Sequence, residues 1–591
     1  MKTKIYVLLM LLIPMLSMQA GTAFYVDPTS PNANDQNDGT SAALPWRSLN
    51  ATKWTNGCVV NLSTGTHALL ASAVIKTNVT LQGASKNDVV IEGLSDDDIA
   101  RGITSPQFFH VAGSNMLTIK NITIRNFVAA VGSSIFGGMF NVEQDATLNL
   151  ENVDVKNALL PANPGAAIYS VGTINCTNVL FENCRSSQGG AISIVGIGIA
   201  KFENVTFRNN STIDGTHSWK NGGAIKVGSR TADISINNCF FDSNISNDDS
   251  TNPYLVTPVG GAIYYKIYAG GDEKLKITNS TFNNNFAATS GGAICFDAYG
   301  AESAALNINF LFTNNTFIGN NCGKDEGKAI LFAPSCPKLI GSMSFVNNTF
   351  FQNGPTNPTV DKSCLWLYDF AIDLCLINNI ICDKTLNTVD NKSYGSGLVI
   401  QQSATTNYVS LKLKGNVLDA YSGNMSADTR AQIKSTDNKI VSKDVINLNT
   451  VLTIPATGAP YLKINNISSV AVDFGINTWL LGTDNLVPTL DIRGTAMIGT
   501  NKDAGAYEFS NSTLIESLVG NDKLLAYPNP FKDVINLSEE AISISIIDVS
   551  GATLITKSNV STLNTSNLNK GIYLLRIINN DGKASTLKML K

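Results

Sequence analysis

Short runs of alternating apolar and polar residues recur along the body of the chain. Leu117–Ile124 is one such run, and Leu275–Thr278 is another. A period of two sends successive side chains to opposite faces of a strand, so these runs predict β-strands. The body shows no convincing amphipathic-helix stripe. The pattern therefore predicts an all-β fold.

Two short motifs separate these runs and repeat through the middle of the chain. The first is Gly-Gly-Ala-Ile, which begins at residues 189, 222, 260 and 291 and has worn copies at 165 and 327. The second is Asn-x-x-apolar, usually followed by a further Asn two or three residues later. Its first residues are Asn121, Asn152, Asn178, Asn204, Asn238, Asn279, Asn314 and Asn347, with Asn378 as a candidate ninth copy.

A repeat of this kind cannot bury its own apolar face, so successive copies must stack on one another. Coiling the chain so that equivalent strands pair in parallel gives a right-handed β-helix. At about 4.8 Å per coil, roughly twelve to fourteen coils would form a rod of about 58–67 Å.

The motif residues suit the turns and the core of such a helix. Asn tolerates the left-handed backbone of a sharp turn, and its amide can bond the next Asn in a ladder. We therefore expect the Asn residues of the second motif to stack in one column. The phenylalanines three residues later should be buried, namely Phe181, Phe207, Phe241, Phe282, Phe317 and Phe350.

Composition narrows the function classes. Of the 591 residues, 15% are charged, and the formal net charge is −4, so no basic excess is available to neutralise phosphates. Nucleic-acid binding is therefore disfavoured. The chain has only three His, which argues against a multi-histidine metal centre.

The first 23 residues combine a basic start, an apolar run and small residues at the end. This is the pattern of a secretory signal peptide, and its apolar run is too short to span a membrane. We expect residues 1–23 to direct export and the chain to have no transmembrane segment. The ten Cys are interpreted as buried thiols rather than a disulfide framework, with Cys322 and Cys336 as the first pair to test.

The repeat pattern stops after Glu508, and a separate unit follows. A linker at 510–521 leads into residues 522–591, which contain short alternating runs and an Asp-Gly turn at 581–582. Such runs separated by turns predict a small C-terminal β-sandwich.

The alternation of Gly-Gly-Ala-Ile with Phe-x-x-Asn resembles the repeats of chlamydial polymorphic outer-membrane proteins. More broadly, it resembles the right-handed β-helix proteins of the pectate-lyase-like class. Residues 24–57 resemble the N-terminal cap of many bacterial members, and 491–508 is similar to their closing element. The resemblance implies a β-helix over 58–509. It leaves function open, because this fold hosts lyases, hydrolases, adhesins and phage spikes.

Four segments of the last unit closely resemble, in order, the C-terminal sorting domain of type IX secretion substrates of Bacteroidota. They are Leu525–Phe531, Ile547–Gly551, Leu568–Arg576 and Lys588–Lys591. The resemblance implies that 522–591 engage the type IX secretion machinery, direct passage to the outer cell surface and are then removed. An appended carbohydrate-binding sandwich is the alternative, although its usual aromatic platform is not evident.

Two sets of candidate site residues stand out. Asp35 and Asp38 lie in a loop with oxygen ligands suited to Ca²⁺, although a turn closed by its own Asx side chains is favoured. The longest insertions, around 211–221 and 245–259, should project as loops. The aromatic residues that could stack on sugar rings are Trp219, Tyr254, Tyr264 and Tyr268. By strand alternation, half of the tyrosine run around Tyr264 must point inward.

No catalytic set and no cofactor beyond Ca²⁺ is indicated. The cations nearest the inserted loops are Arg208, Lys220, Lys226 and Arg230, but no motif ties them to a carboxylate. The leading hypothesis is a secreted, surface-displayed β-helix that binds a polysaccharide or cell-surface glycan without chemistry, as an adhesin does. The second is a polysaccharide lyase, ahead of a glycoside hydrolase, and the third is a structural surface rod.

Overall fold

The computed structural model divides the chain into two compact units, Met1–Phe509 and Ser510–Lys591. Residues 1–20 of the predicted signal peptide, the linker at 510–521 and Cys336 lie outside the described residues. The structure describes residues 21–69, 72–100, 102–104, 108–130, 136–212, 220–246, 258–268, 271–299, 306–323, 326–332, 339–354, 363–368, 372–383, 385–386, 393–402, 409–442, 445–497, 499, 501–509, 526–527, 531–548, 551–578 and 584–591.

The first unit is a right-handed parallel β-helix, as predicted. Each coil adds a strand to three sheets in turn, and equivalent strands of successive coils pair in parallel. The first sheet has 13 strands, within the predicted number of coils. They are Ala23–Val26, Cys58–Leu62, Val79–Gly83, Met116–Lys120, Thr147–Glu151, Thr173–Thr177, Ile199–Glu203, Asp233–Asn237, Asp272–Thr278, Leu306–Thr313, Leu339–Val346, Ile372–Ile377 and Ser410–Lys414.

The other two sheets follow the same order. The second sheet comprises Ala73–Ile75, Phe109–Val111, Phe140–Val142, Ile168–Ser170, Ile192–Gly196, Ile225–Ser229, Ile263–Tyr268, Ile294–Tyr299, Ile330–Phe332, Ser363–Tyr368, Ser396–Gln401 and Tyr421–Ser422. The third comprises Gly65–Ala68, Val89–Glu92, Thr123–Val128, Asp154–Leu160, Leu180–Glu182, Arg185–Ser186, Thr206–Arg208, Ser211–Thr212, Phe240–Asp242, Ile245–Ser246, Thr281–Asn283, Phe286–Ala287, Thr316–Ile318, Asn321–Cys322, Thr349–Phe351, Ile380–Cys382, Val417–Leu418 and Lys439–Ile440.

Helices and antiparallel pairs are short additions to this body. The described helices are a 3-10 turn at Ala51–Lys53 and α-helices at Asp96–Ala100 and Ala427–Ile433. Two small antiparallel pairs join Thr385–Leu386 to Ser393–Tyr394 and Leu480–Leu481 to Asp484–Asn485.

The phenylalanines of the second motif form a buried column, which confirms the predicted register. All six predicted rings are 0% exposed. Neighbouring rings stack with centroids 4.6–5.1 Å apart and planes 2–9° from parallel. This spacing matches the rise of about 4.8 Å between paired strands, so each coil places one ring directly over the last.

In every copy of the Asn-x-x-apolar motif, the first Asn occupies a left-handed turn, as predicted. The φ values lie between 50° and 56° from Asn121 to Asn378. Amides join neighbouring turns, for example from Asn152 to Asn121 at 2.8 Å. At Asn279 the amide donates to Asn237 instead of Asn238, so the column shifts by one residue there.

A second set of Asn, three residues after the phenylalanines, forms a ladder inside the helix. Each amide donates to the Oδ1 of the next Asn along the helix, as Asn244 does to Asn285 at 2.9 Å. The backbone N–H of Asn244 donates to the same oxygen at 3.0 Å. Buried amides are costly unless they are bonded, so this ladder fixes the register of the coils. Its members are Asn210, Asn244, Asn285, Asn320 and Asn353, which we call the inner ladder.

The coils end at Lys439–Ile440, well before the boundary at 509 that the sequence predicts. The described residues from 445 to 509 instead pack along the outside of the turns, and we call them the returning segment. The backbone N–H of Ala459 donates to Asn238, and Asn347 donates to the carbonyl of Asp503. The physical reason is a row of outward apolar side chains on the third sheet, including Ile318 and Phe351, which this returning segment covers.

The cysteines of the first unit behave as small apolar residues. The nine that the structure describes are all buried, and no disulfide joins any two of them. The predicted pair of Cys322 and Cys336 stays a prediction, because Cys336 lies outside the described residues.

The second unit is an antiparallel sheet with its own core. Its strands are Ala526–Tyr527, Val534–Asp548, Thr553–Asn564, Ile572–Ile578 and Ala584–Leu590. Strand pairing shifts register between Asn536 and Ala541, and side chains from both sides of the shift enter one core. That arrangement fits the predicted small sandwich. The predicted turn at 581–582 lies outside the described residues.

Candidate functional site

The outward surface of the second sheet gathers amines and tyrosines on neighbouring strands. In Ile263–Tyr268, alternation buries Ile263, Tyr265 and Ile267 and turns the residues between them outward. Tyr264 pairs with Lys226 across the two strands. The lysine–tyrosine face consists of Gln188, Lys226, Tyr264, Lys266 and Tyr268.

Lys226 is the chemically distinctive side chain of this face. It is partly buried, and its Nζ donates a hydrogen bond to Gln188 Oε1. Burial and the neighbouring positive charge of Lys266 together lower the pKa of Lys226 to about 8. The amine therefore changes charge close to neutral pH, whereas an ordinary lysine stays protonated there.

Lys266 and Tyr268 form the other side of the face. The Nζ of Lys266 lies 5.3 Å from the centroid of the Tyr268 ring, a cation–π distance. Gly228 lies on the same strand as Lys226 and pairs with Lys266 of the neighbouring strand. A Cβ there would stand 3.6 Å from Lys226 Cε and 3.7 Å from Tyr268 Cε2. The absence of a side chain at Gly228 thus leaves a hollow between the amine and the ring.

Tyr264 forms the floor of the face rather than an open platform. Its side chain is 3% exposed and packs against Cys295 and Leu331. Its hydroxyl donates to Asp297 Oδ2 at 3.1 Å. Burial, and next the charge of Asp297, raise the pKa of Tyr264 well above its usual value. Tyr264 can support a ligand from below, and Tyr268, which is only partly buried, is the ring that can touch one.

Trp219 and Tyr254, the other predicted sugar-stacking residues, lie outside the described residues. In the sequence, they precede the two strands that carry Lys226 and Lys266. Gln188 and Lys266 are missing from the sequence-derived candidates. The signal for Lys266 was its place in the alternating tyrosine run, whereas Gln188 looks like a loop residue before a Gly-Gly-Ala-Ile motif.

The other candidate cations do not join this face. Lys220 is 1% exposed, within the helix. Arg208 lies on the third sheet and pairs with Asp242 at 3.3 Å. Arg230 is exposed beyond the end of the strand that carries Lys226.

The predicted Ca²⁺ loop is closed by its own hydrogen bonds. Asp38 accepts from the backbone and hydroxyl of Thr40, as in an Asx turn. Asp35 accepts from the backbones of Arg47 and Ser48. Although burial raises the pKa of Asp35, these bonds hold it below its usual value. Among the described residues, no group of three or more His, Cys, Asp and Glu could hold a metal ion. Ca²⁺ binding by this loop stays a prediction.

Cavities line the opposite side, where the returning segment meets the outer Asn column. One of about 430 Å³ includes Asn204, Asn238 and Arg493, and one of about 710 Å³ includes Asn279 and Lys276. These crevices are walled by amides that already bond one another and the returning segment. Hydrogen bonds with amides of the outer Asn column hold the returning segment against the outside of the turns.

Comparison with known proteins identifies the second unit. Residues 525–591 match the family model of the secretion system C-terminal sorting domain. The chain is therefore directed by type IX secretion to the cell surface or the extracellular space. Within the part of the chain that the structure describes, no helix has the length and apolar character to cross a bilayer.

The chain also has more distant similarities. It is 27% identical over 183 residues to metabotropic glutamate receptor-like protein R of Dictyostelium discoideum. The match covers 31% of this chain and only 10% of that protein. Among solved structures, pectate lyase Pel9A is 14% identical, with 83% of this chain and 96% of that chain covered and a TM-score of 0.35. The PL6 family alginate lyase AlyGC is 11% identical, with 72% and 55% covered and a TM-score of 0.33.

Proposed function

We propose that this protein is an exported β-helix that binds an acidic polysaccharide or cell-surface glycan through the lysine–tyrosine face. The observation that supports the proposal most strongly is the juxtaposition of Lys226 and Lys266 on a partly buried surface. Burial, and next the repulsion from the neighbouring positive charge of Lys266, lower the pKa of Lys226. A carboxylate or sulfate placed between them would relieve that repulsion and gain two charge-assisted hydrogen bonds.

The rest of the face suits a sugar ring that carries such an anion. The hollow at Gly228 lies between the amine and the partly buried ring of Tyr268. An aromatic ring provides apolar contact for the C–H face of a sugar, while the amines bond its acidic group. Parallel strands present similar backbone at each coil, so a polymer can follow the face from one coil to the next.

The test is an affinity measurement on the full chain with pectin, alginate, a glycosaminoglycan and a neutral glucan, with and without Ca²⁺. We expect binding to the acidic polymers and weakening by salt, since the interaction is ionic. Replacing Lys226 by Gln should weaken binding about 10- to 150-fold, because a hydrogen bond to a charged group is worth about 1.5–3 kcal/mol. The matched control is Lys201→Gln, which removes an exposed lysine from the first sheet and should leave affinity unchanged.

Two results would contradict the proposal. One is equal affinity of the Lys226→Gln and Lys201→Gln variants for an acidic polymer. The other is binding of the neutral glucan at the same strength as the acidic polymers.

A second candidate function, a polysaccharide lyase, is favoured by the pKa of Lys226. A lysine that is partly neutral near pH 8 can act as a general base. In that case Lys226 would remove the proton next to a uronate carboxylate, and Lys266 would stabilise the negative charge. Each cut would leave an unsaturated sugar that absorbs in the ultraviolet. Appearance of such a product with the wild type but not with Lys226→Gln would favour the lyase over simple binding.

A further inference from the structure

The inner ladder ends at a buried carboxyl group, that of Asp383. Beyond its last Asn, the backbone N–H of Asn353 donates to the carboxylate of Asp383 instead of to a further amide. Asp383 Oδ2 lies 2.8 Å from the Nζ of Lys328. The two side chains are 0% and 1% exposed. A lysine and a carboxyl group are thus in contact in the dry interior of the helix.

Lys328 stands where the four intact Gly-Gly-Ala-Ile motifs have their second glycine. In the intact Gly-Gly-Ala-Ile motifs the second glycine touches the next coil, and a Cβ at Gly292 would lie 2.0 Å from the carbonyl oxygen of Lys328. The motif at 327–330 has Lys in this position. Its chain passes over Gly354, where a Cβ would lie 2.5 Å from Lys328 Cδ and 2.9 Å from Nζ. The side chain of Lys328 therefore packs directly on the backbone of Gly354.

The charge of a second carboxyl group, that of Asp419, acts on Asp383. A Cβ at Gly397 would lie 2.9 Å from Oδ1 of Asp419, so this carboxyl also packs tightly on a glycine. Burial raises the pKa of Asp383 to about 7 against the lowering effect of Lys328, and the charge of Asp419 adds to the rise. A substantial fraction of Asp383 is therefore the neutral acid at neutral pH.

We propose that Lys328 and Asp383 condense spontaneously into an intramolecular isopeptide bond, with Asp419 as the proton carrier. Proton transfer from Nζ to the Asp383 carboxylate leaves an amine beside a carboxylic acid, and attack of that amine on Cγ forms the new N–C bond. Asp419 accepts the proton released by the nitrogen and returns it to the departing hydroxyl. The C–O bond breaks, and one water molecule leaves. No oxidant, reductant or co-reactant is required.

The site meets the physical requirements of this reaction. Lys328 Nζ and Asp383 Oδ2 are already 2.8 Å apart, so the two reacting groups do not have to meet by diffusion. This proximity gives each group a large effective concentration at the other. Exclusion of water favours condensation over hydrolysis. The product is a neutral amide, so the cost of keeping two buried charges disappears.

The bond would tie the chain between distant positions without a disulfide. No disulfide joins two of the described cysteines. An isopeptide bond from 328 to 383 would close a loop that contains the strands Thr349–Phe351 and Ser363–Tyr368, and would hold those coils together after export.

Peptide mapping of the full chain tests the proposal. Trypsin cuts after Lys and Arg, so an unlinked chain yields cleavage at Lys328 and a separate peptide of residues 363–384. We expect instead a branched species that joins 325–338 to 363–384, uncut at Lys328 and lighter than the sum by one water. Two separate peptides of full mass, with cleavage at Lys328, would overturn the proposal.

Two variants distinguish a covalent isopeptide bond from a non-covalent ion pair between residues 328 and 383. Lys328→Arg keeps a cation beside Asp383 but should yield no branched peptide, because a guanidinium is not nucleophilic. Asp419→Asn leaves both reacting groups in place and should sharply reduce the yield of branched peptide. If Asp419→Asn forms the branched peptide as completely as the wild type, the role given to Asp419 is wrong.

Discussion

Removal of residues 522–591 will leave the β-helix in the periplasm, with none at the cell surface. The match of 525–591 to the secretion system C-terminal sorting domain is the reason. The second unit has a core of its own, formed by its own residues. Cell fractionation and surface labelling of the truncated and complete chains measure the effect.

Point variants provide the matched comparison. Ile577 is 1% exposed in the core of the second unit, and Ile577→Asp places a charge there, which should unfold the sorting unit and block surface delivery. Leu554 is 45% exposed in the same unit, so Leu554→Asp should be delivered normally. Normal surface levels of the truncated chain would contradict the account of its export.

Replacing Phe282 by Ala should destabilise the β-helix by about 3–5 kcal/mol. Phe282 is 0% exposed and stacks on Phe241 at 4.6 Å and on Phe317 at 4.7 Å. Removal of its ring leaves a cavity between two rings that are fixed by their own coils, so the site can collapse only partly. The free energy of unfolding from chemical denaturation checks this value.

Phe240→Ala is the control for that measurement. Phe240 precedes Phe241 on the same strand, but alternation turns its side chain outward, and it is only partly buried. The control should cost about 1 kcal/mol or less. Equal stability losses for Phe282→Ala and Phe240→Ala would show that the register of the column is wrong.

The parts of the fold that repeat could be predicted from the sequence. Phe282 and Asn279 have equivalents at the same motif positions in several coils. The structural role inferred for one copy therefore applies to all of them. The returning segment could not be predicted in this way. Its apolar residues, such as Ile446 and Leu448, cover the outside of the helix, yet their pattern does not differ from that of a coil.

The candidate site was harder to predict from the sequence than the repeats, because its contacts occur only once. Lys226 appeared among several cations, and only the structure shows that it lies beside Lys266 and is partly buried. Contact between Lys328 and Asp383, 55 residues apart, depends on how coils stack. A single departure from Gly-Gly-Ala-Ile looks like decay of the motif, although here the substituted residue makes a buried ion pair.

The pH dependence of affinity tests most directly whether protonated Lys226 holds an acidic polysaccharide. Because the pKa of Lys226 is about 8, the amine gains its positive charge as pH falls through that value. Affinity for an acidic polymer should therefore rise as pH is lowered through about 8 in the wild type and stay level in Lys226→Gln. Affinity that is independent of pH in both chains, or that rises toward alkaline pH, would contradict the account.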